Sequence, residues 1–308
     1  MSNLFKLNTQ IEAIDENFLL SRFEHIYKEN RVIDFIIDRT VEPDLFSEII
    51  DDFDPLISVE KVFIAKPITR GAKQPLALLR LKNDIKFYKY APKIVEILLE
   101  QLTYTSTRQI ICGWGCSEHS LDNLKTRFQK NLIAKSEGSA QAFVLRWYDP
   151  RVQYVFQNMA PEVLYHHYLA DYKIWEYLHP KGVYSKAPVA HAFKFNNIFP
   201  KEVIDFLMMC EDVNGINKYL INKNIPSNQI EPMLTYEYLI LIKGNSAKIE
   251  FNVISELVYW FYRAGSNLTE HPAIQALWDR EDYEQMLEKL NTDLTLQANV
   301  LERDRVNG

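Results

Sequence analysis

The densest group of reactive side chains is Cys112-Gly113-Trp114-Gly115-Cys116-Ser117-Glu118-His119. Two thiols and an imidazole at C-x3-C-x2-H could supply three ligands to zinc, with His166 or His167 nominated as a fourth. A structural zinc site usually draws on a second C-x2-C or H-x3-H pair, and none lies nearby. A zinc-dependent enzyme or zinc-stabilised protein built on Cys112, Cys116 and His119 is therefore the alternative reading. The main expectation is no metal and no cofactor. Cys112 and Cys116 share a face only if one strand persists through both glycines. The G-x-G of Gly113 and Gly115 would need a third glycine where Glu118 stands, and a carboxylate does not suit a pyrophosphate. Neighbours on a helix point about 100° apart, so His166 and His167 do not easily share one ligand site. No P-loop, H-E-x-x-H or G-x-S-x-G occurs, and no carboxylate pair stands out for acid–base work. The expectation is a protein that is not an enzyme.

The sharpest local pattern is Arg146-Trp147-Tyr148-Asp149-Pro150-Arg151. An apolar run over Gln141–Tyr148 predicts a strand that stops at Asp149. Asp is a favoured N-cap, and Pro at the next position loses no hydrogen bond there. Asp149 and Pro150 thus read as a structural strand-to-helix junction, with Asp149 holding Arg146 or Arg151 by a charge-assisted bond. Arg146, Trp147, Tyr148 and Arg151 are also the residue types that dominate protein–protein hot spots.

The elements that must position these residues alternate between strand and helix. Apolar spacing predicts a helix within 10–29, then strands at Val32–Ile37, Val62–Ile64, Leu76–Leu81, Gln109–Trp114 and Gln141–Tyr148. Pro43 opens a short helix, and further helices follow over 91–103 and after Ser120, an expected N-cap. From about 199 the pattern is helical: Phe199–Leu220, Glu231–Ile242, Phe251–Arg263, Pro272–Trp278 and Glu281–Leu301. The fold class is α+β or α/β, with a mixed sheet of about five strands covered by helices and a helical C-terminal lobe. The expected division is 1–30 as an N-terminal helical segment, 31–190 as the α/β domain and 191–308 as the helical domain. Phe251–Arg263 is apolar around most of its circumference, which predicts burial, with cover by a partner as the alternative.

Composition narrows the function classes. Nine glycines in 308 residues is scarce, and 13% aromatics is abundant. Phosphate-cradling loops need glycine, so nucleotide enzymes are disfavoured. A net charge of −6 does not suit a general nucleic-acid binder. Three cysteines are too few for a disulfide framework and point to a reducing compartment. Neither a secretory signal nor a stretch of 18 apolar residues occurs, so the expected address is the cytoplasm without membrane insertion.

One family resemblance rests on these motifs. Gly113-Trp114-Gly115, a helix of about a dozen residues, a polar turn and then Phe143-Val144-Leu145-Arg146-Trp147-Tyr148-Asp149-Pro150-Arg151-Val152 resembles the bacterial type VI secretion effector chaperones. These are adaptors of the Tap/TEC type, built on a domain of unknown function. Ala160-Pro161-Glu162 and the aromatic segment Tyr165–Tyr177 extend the match. It covers roughly 31–180 and is specific over about 110–177. Cys116-Ser117-Glu118-His119 departs from the apolar run that the family carries there. The resemblance implies a non-enzymatic adaptor that binds a toxic effector in the cytoplasm and loads it onto the valine–glycine-repeat spike protein. It implies partner contacts at Arg146, Trp147, Tyr148, Arg151 and Trp114, with Asp149, Pro150 and Gly115 as the structural motif. A generic protein-binding scaffold is the remaining alternative.

Overall fold

The first strand, β1 (Phe5–Gln10), leads to helix α1 (Glu16–Asn30), which Asp15 caps by accepting the Phe18 N–H at 2.7 Å. Arg31, in the left-handed region at φ 56°, ends α1 and turns the chain into β2 (Ile33–Asp38). β3 (Leu76–Leu81), α2 (Asp84–Thr103), β4 (Ile111–Cys116) and α3 (Leu121–Asn131) follow. Then come β5 (Ile133–Ser136), β6 (Ala142–Val144), α4 (Pro150–Met159) and a π-helical turn over Leu164–Tyr168. β7 (Ile174–His179), β8 (Gly182–Lys186) and β9 (Ile198–Phe199) complete the strands. The computed structural model describes residues 5–10, 13–38, 76–103, 110–138, 142–179, 182–186, 198–226, 229–245 and 249–302. The strand expected at Val62–Ile64 and the short helix opened by Pro43 lie outside them.

Six strands form one sheet in the order β1-β8-β7-β4-β2-β3, and every pairing in it is antiparallel. Three strands, β6-β5-β9, form a second sheet with one parallel pairing. The architecture is α+β, with the large sheet covered on both faces. On one face α1 and α2 bring Phe23, Ile26, Phe87, Ile94 and Leu98 against Phe35, Ile37 and Trp114. On the other, α3, α4 and the π-turn bring Phe128, Phe156 and Tyr168 against Ile36, Cys112, Trp175 and Tyr177. A strand sealed on both faces reads as continuously apolar, which is why β2 is buried at all six positions.

The Gln141–Tyr148 run is strand only over Ala142–Val144. Beyond it the Leu145 N–H turns back to the Leu132 carbonyl, and Asp149 N–H bonds Arg146 C=O at 2.9 Å, so Arg146–Asp149 is a turn. β1, β5, β7, β8 and β9 are strands that the apolar patterning did not announce, and Phe199, expected to open a helix, lies in β9 with the helix starting at Lys201.

The chain divides into two compact units, Met1–Cys210 and Glu211–Gly308. The division falls inside α5 (Lys201–Asn222). The second unit is helical: α6 (Pro232–Asn245), α7 (Phe251–Ala264), α8 (Pro272–Trp278), α9 (Tyr283–Thr292) and α10 (Leu294–Glu302). α7 is the centre of its core, burying Ile254, Leu257, Val258, Trp260 and Phe261. The single amphipathic helix expected over Glu281–Leu301 is broken at Asp293, whose side chain accepts the Thr295 and Leu296 N–H groups, each at 3.0 Å, and starts α10. No helix among the described residues is long and apolar enough to cross a membrane.

Candidate functional site

Strand β4 does run through both glycines, but it does not keep one parity. Ile36 of β2 faces Gly113 and Ile37 faces Ile111, so Cys112 is the extra residue of a β-bulge. The bulge puts Cys112 in the core on the α4 side and Trp114 and Cys116 in the core on the α1 side. The two thiols therefore lie on opposite faces of the sheet, and no single ion between them reaches both. Burial pushes both thiols up from their ordinary value, which keeps them protonated. His119 lies instead 3.3 Å from Asp171, which also pairs with Arg127. Among the described residues no group of three or more His, Cys, Asp or Glu side chains could hold a metal ion.

Ser117, His119 and Asp171 are close together, yet their bonds are those of a turn. The Ser117 hydroxyl donates to the Asp171 backbone carbonyl and accepts the His119 N–H at 3.2 Å. Its proton thus points away from the His119 ring. His166 and His167 lie in the π-turn, both partly covered.

The glycines of this segment exist for close strand approach. A Cβ on Gly115 would stand 2.1 Å from the Ile174 carbonyl oxygen of β7, and one on Gly113 would stand 2.3 Å from the Trp175 ring. Trp114 is fully buried, edge-on to Phe23, and donates its indole N–H to Glu176 at 2.9 Å. Glu176 also accepts from Ser185 at 2.8 Å and pairs with Arg22 of α1. Trp114 is a core residue and presents no side-chain surface to a partner.

The Asp149–Pro150 junction is built as its residue types require. Asp149 caps α4 by accepting the Arg151 N–H at 3.0 Å, with Pro150 in the first turn. The same carboxylate takes the Arg151 Nε at 2.9 Å and Nη2 at 2.6 Å. Arg146 bonds Asp38 at the end of β2 and lies 3.8 Å from Asp149. Burial alone would raise the Asp149 pKa, but the charge and hydrogen bonds of Arg151, aided by Arg146, hold it below the ordinary carboxylate value. Asp149 thus serves both arginines, where the sequence left the choice open.

The aromatic pair inside the motif faces inward. Trp147 stacks on Tyr168 at 5.2 Å and Tyr148 packs against Phe128 at 5.7 Å, both buried. A turn that follows a short strand must bury its large rings because the π-turn and α3 close over it. Of the four motif residues expected at a partner surface, only Arg146 and Arg151 keep exposed side-chain area, 39% and 23%.

Several positioning residues carry no local signature. Gln153, fully buried, donates to the Cys112 carbonyl at 3.0 Å and the Tyr148 carbonyl at 2.7 Å, and accepts from Trp175 at 2.8 Å. It ties the motif turn to β4 and β7. Asp34 of β2 is held by a two-pronged bond from Arg80 of β3, at 2.6 and 2.7 Å. The clue in the sequence was the carboxylates themselves: Asp34, Asp38 and Glu176 sit within apolar strands, where a charge needs a partner.

Comparison with known proteins adds no relative: no family model, no curated protein and no solved structure matches this chain.

Proposed function

We propose that the protein is a non-enzymatic adaptor of the type VI effector-chaperone kind. In this reading it binds a secreted toxin in the cytoplasm and hands it to the valine–glycine-repeat spike protein, without nucleic acid or a cofactor. The observation that carries the reading is the Arg146–Arg151 junction. Two guanidiniums are fixed on the buried carboxylates Asp38 and Asp149, with their outer edges left at the surface. A side chain fixed in this way presents its exposed part at little further cost in side-chain entropy, which is what a recognition surface needs. The acidic balance and the motif resemblance over 110–177 support the same reading.

Co-expression with any toxin or spike protein that a neighbouring gene encodes is the test. A complex with the toxin that survives size exclusion is expected, and elution without either protein would reject the proposal. Arg146→Lys with Arg151→Lys keeps both carboxylates paired but removes the forked donors. That variant is expected to melt near the parent temperature and to hold the toxin less tightly. Unchanged toxin binding would remove the arginines from the interface.

A further inference from the structure

Lys186 ends β8 opposite Phe5 of β1. Its amine donates to the Leu169 and Tyr172 carbonyls at 2.7 Å each and stands 4.5 Å from the centre of the Tyr165 ring. Both acceptors are neutral, and among the described residues no carboxylate pairs with the amine. The charge that acts on it from the same turn, Asp171, is taken up by Arg127 and lies 3.3 Å from His119. Other lysines have carboxylates of their own: Lys28 pairs with Glu24, Lys223 with Glu256 and Lys243 with Asp212.

Lys186 is also half-buried. An ammonium between an aromatic ring and two carbonyl dipoles has lost water without gaining a counter-ion. Such a lysine gives up its proton more readily, which is how proteins make an amine nucleophilic. Loss of water is the larger effect here and the pull of Asp171 the smaller, so the pKa falls to about 8. Once deprotonated, the amine can keep both N–H bonds to the carbonyls while its lone pair takes the third position.

We propose that Lys186 is a covalent modification site, at which small acyl phosphates acylate the Nζ amine. The lone pair attacks the acyl carbonyl carbon, and the new N–C bond forms as the C–O bond to phosphate breaks. Inorganic phosphate leaves and the amine proton passes to water, so nothing is oxidised or reduced. Half-burial selects a small donor, and an acyl phosphate is activated enough to need no catalyst. The resulting amide keeps one N–H, so one of the two carbonyl bonds is lost together with the cation over Tyr165. Both carbonyls belong to the turn whose Asp171 carbonyl receives the Ser117 hydroxyl. Acylation would therefore loosen the link between β8 and that turn. This chemistry needs no protein partner and does not depend on the adaptor role.

The test treats the full chain with acetyl phosphate and follows each lysine by peptide mass spectrometry. At about pH 7.5 roughly one Lys186 amine in four is unprotonated, against about one in a thousand for an ordinary lysine. A less basic amine is also a weaker nucleophile, so the net expectation is acetylation about tenfold faster than at the exposed Lys82, Lys130 and Lys218. The Lys186 rate should rise with pH and level off above about 8. Unfolding in urea should bring it to the rate of the other three. Acetylation of Lys186 no faster than theirs overturns the proposal. An advantage that persists in urea overturns it too, since it would come from neighbouring sequence and not from the fold. A rate that keeps climbing to about pH 10, as at an ordinary lysine, would overturn it by showing an amine that is not desolvated.

Discussion

Gly115→Ala is the substitution whose cost follows most directly from the geometry. The new methyl carbon would stand 2.1 Å from the Ile174 carbonyl oxygen, 3.0 Å from its carbon and 3.1 Å from the Trp175 Cα. All three are backbone atoms of the neighbouring strand, so no rotamer change relieves the contact. Bringing the closest distance to an ordinary van der Waals separation requires β4 and β7 to part by more than 1 Å. The pairing at risk is Trp114↔Glu176, Gly115↔Trp175 and Cys116↔Ile174. Three weakened positions at about 1 kcal/mol per hydrogen bond give a loss of about 3 kcal/mol, before any disturbance of the Trp114–Glu176 bond. Urea unfolding followed by tryptophan fluorescence and far-ultraviolet circular dichroism reads it, with Gly244→Ala as the control. The control introduces no contact within 4 Å and is expected to stabilise by up to about 1 kcal/mol. A Gly115→Ala midpoint within experimental error of the parent would refute the close-approach account of this segment.

Two more predictions concern charge. Asp149→Asn keeps an N-cap acceptor but removes the partner of Arg151 and Arg146, and is expected to cost more than the roughly 1 kcal/mol of a lost cap. Because the folded Asp149 pKa is depressed, this contribution is present at neutral pH and is lost as pH falls through the folded value. The stability gap between parent and Asp149→Asn, measured by urea unfolding, should therefore close in acid, and a pH-independent gap would contradict it. Lys186 donates to the Leu169 and Tyr172 carbonyls at 2.7 Å each, and desolvation lowers its pKa to about 8. Between that value and the ordinary lysine value the unfolded chain binds the extra proton, so stability should rise with pH from about 8 towards 10. Lys186→Met should remove that rise, and an identical slope in the two proteins would show that the amine is not desolvated.

What could be read along the chain depended on how local its cause was. Ser120 and Asp149 were legible as caps because the bond each makes lies within three residues. Helices α7 and α8 were legible because spacing and flanking signals agree. β7 was not: Ile174-Trp175-Glu176-Tyr177-Leu178-His179 is covered on both faces, so no alternation marks it, and Glu176 is tolerated there because Arg22, 154 residues away in sequence, pairs with it while Trp114 and Ser185 donate to it. The Gln141–Tyr148 run shows the opposite failure, since an uninterrupted apolar stretch does not reveal whether it is a strand or a turn packed inside a core. At the candidate site, residue types alone named Arg146, Arg151 and Asp149. They did not name Asp38 or Gln153, whose partners arrive from other elements. Nor did they show that Trp114, Trp147 and Tyr148 face inward, because an aromatic ring serves a core and an interface equally well.

The bulge at Cys112 has a consequence for how this chain tolerates change in length. On either side of it, odd and even positions of β4 exchange faces, so the segment works like a reading frame with one fixed shift. Deleting Gly113 would close the bulge and set Cys112 opposite Ile36, leaving Trp114 and Cys116 on the α1 side, whereas adding a residue beside it without widening the bulge would send both towards α4 and strip Glu176 of its indole donor. What has to be kept is therefore the face on which Trp114 and Cys116 emerge, which a regular strand or a single-residue bulge both deliver. Cys112 itself is fully buried, so a larger or polar side chain there is expected to be felt as overpacking or as an unpaired polar group.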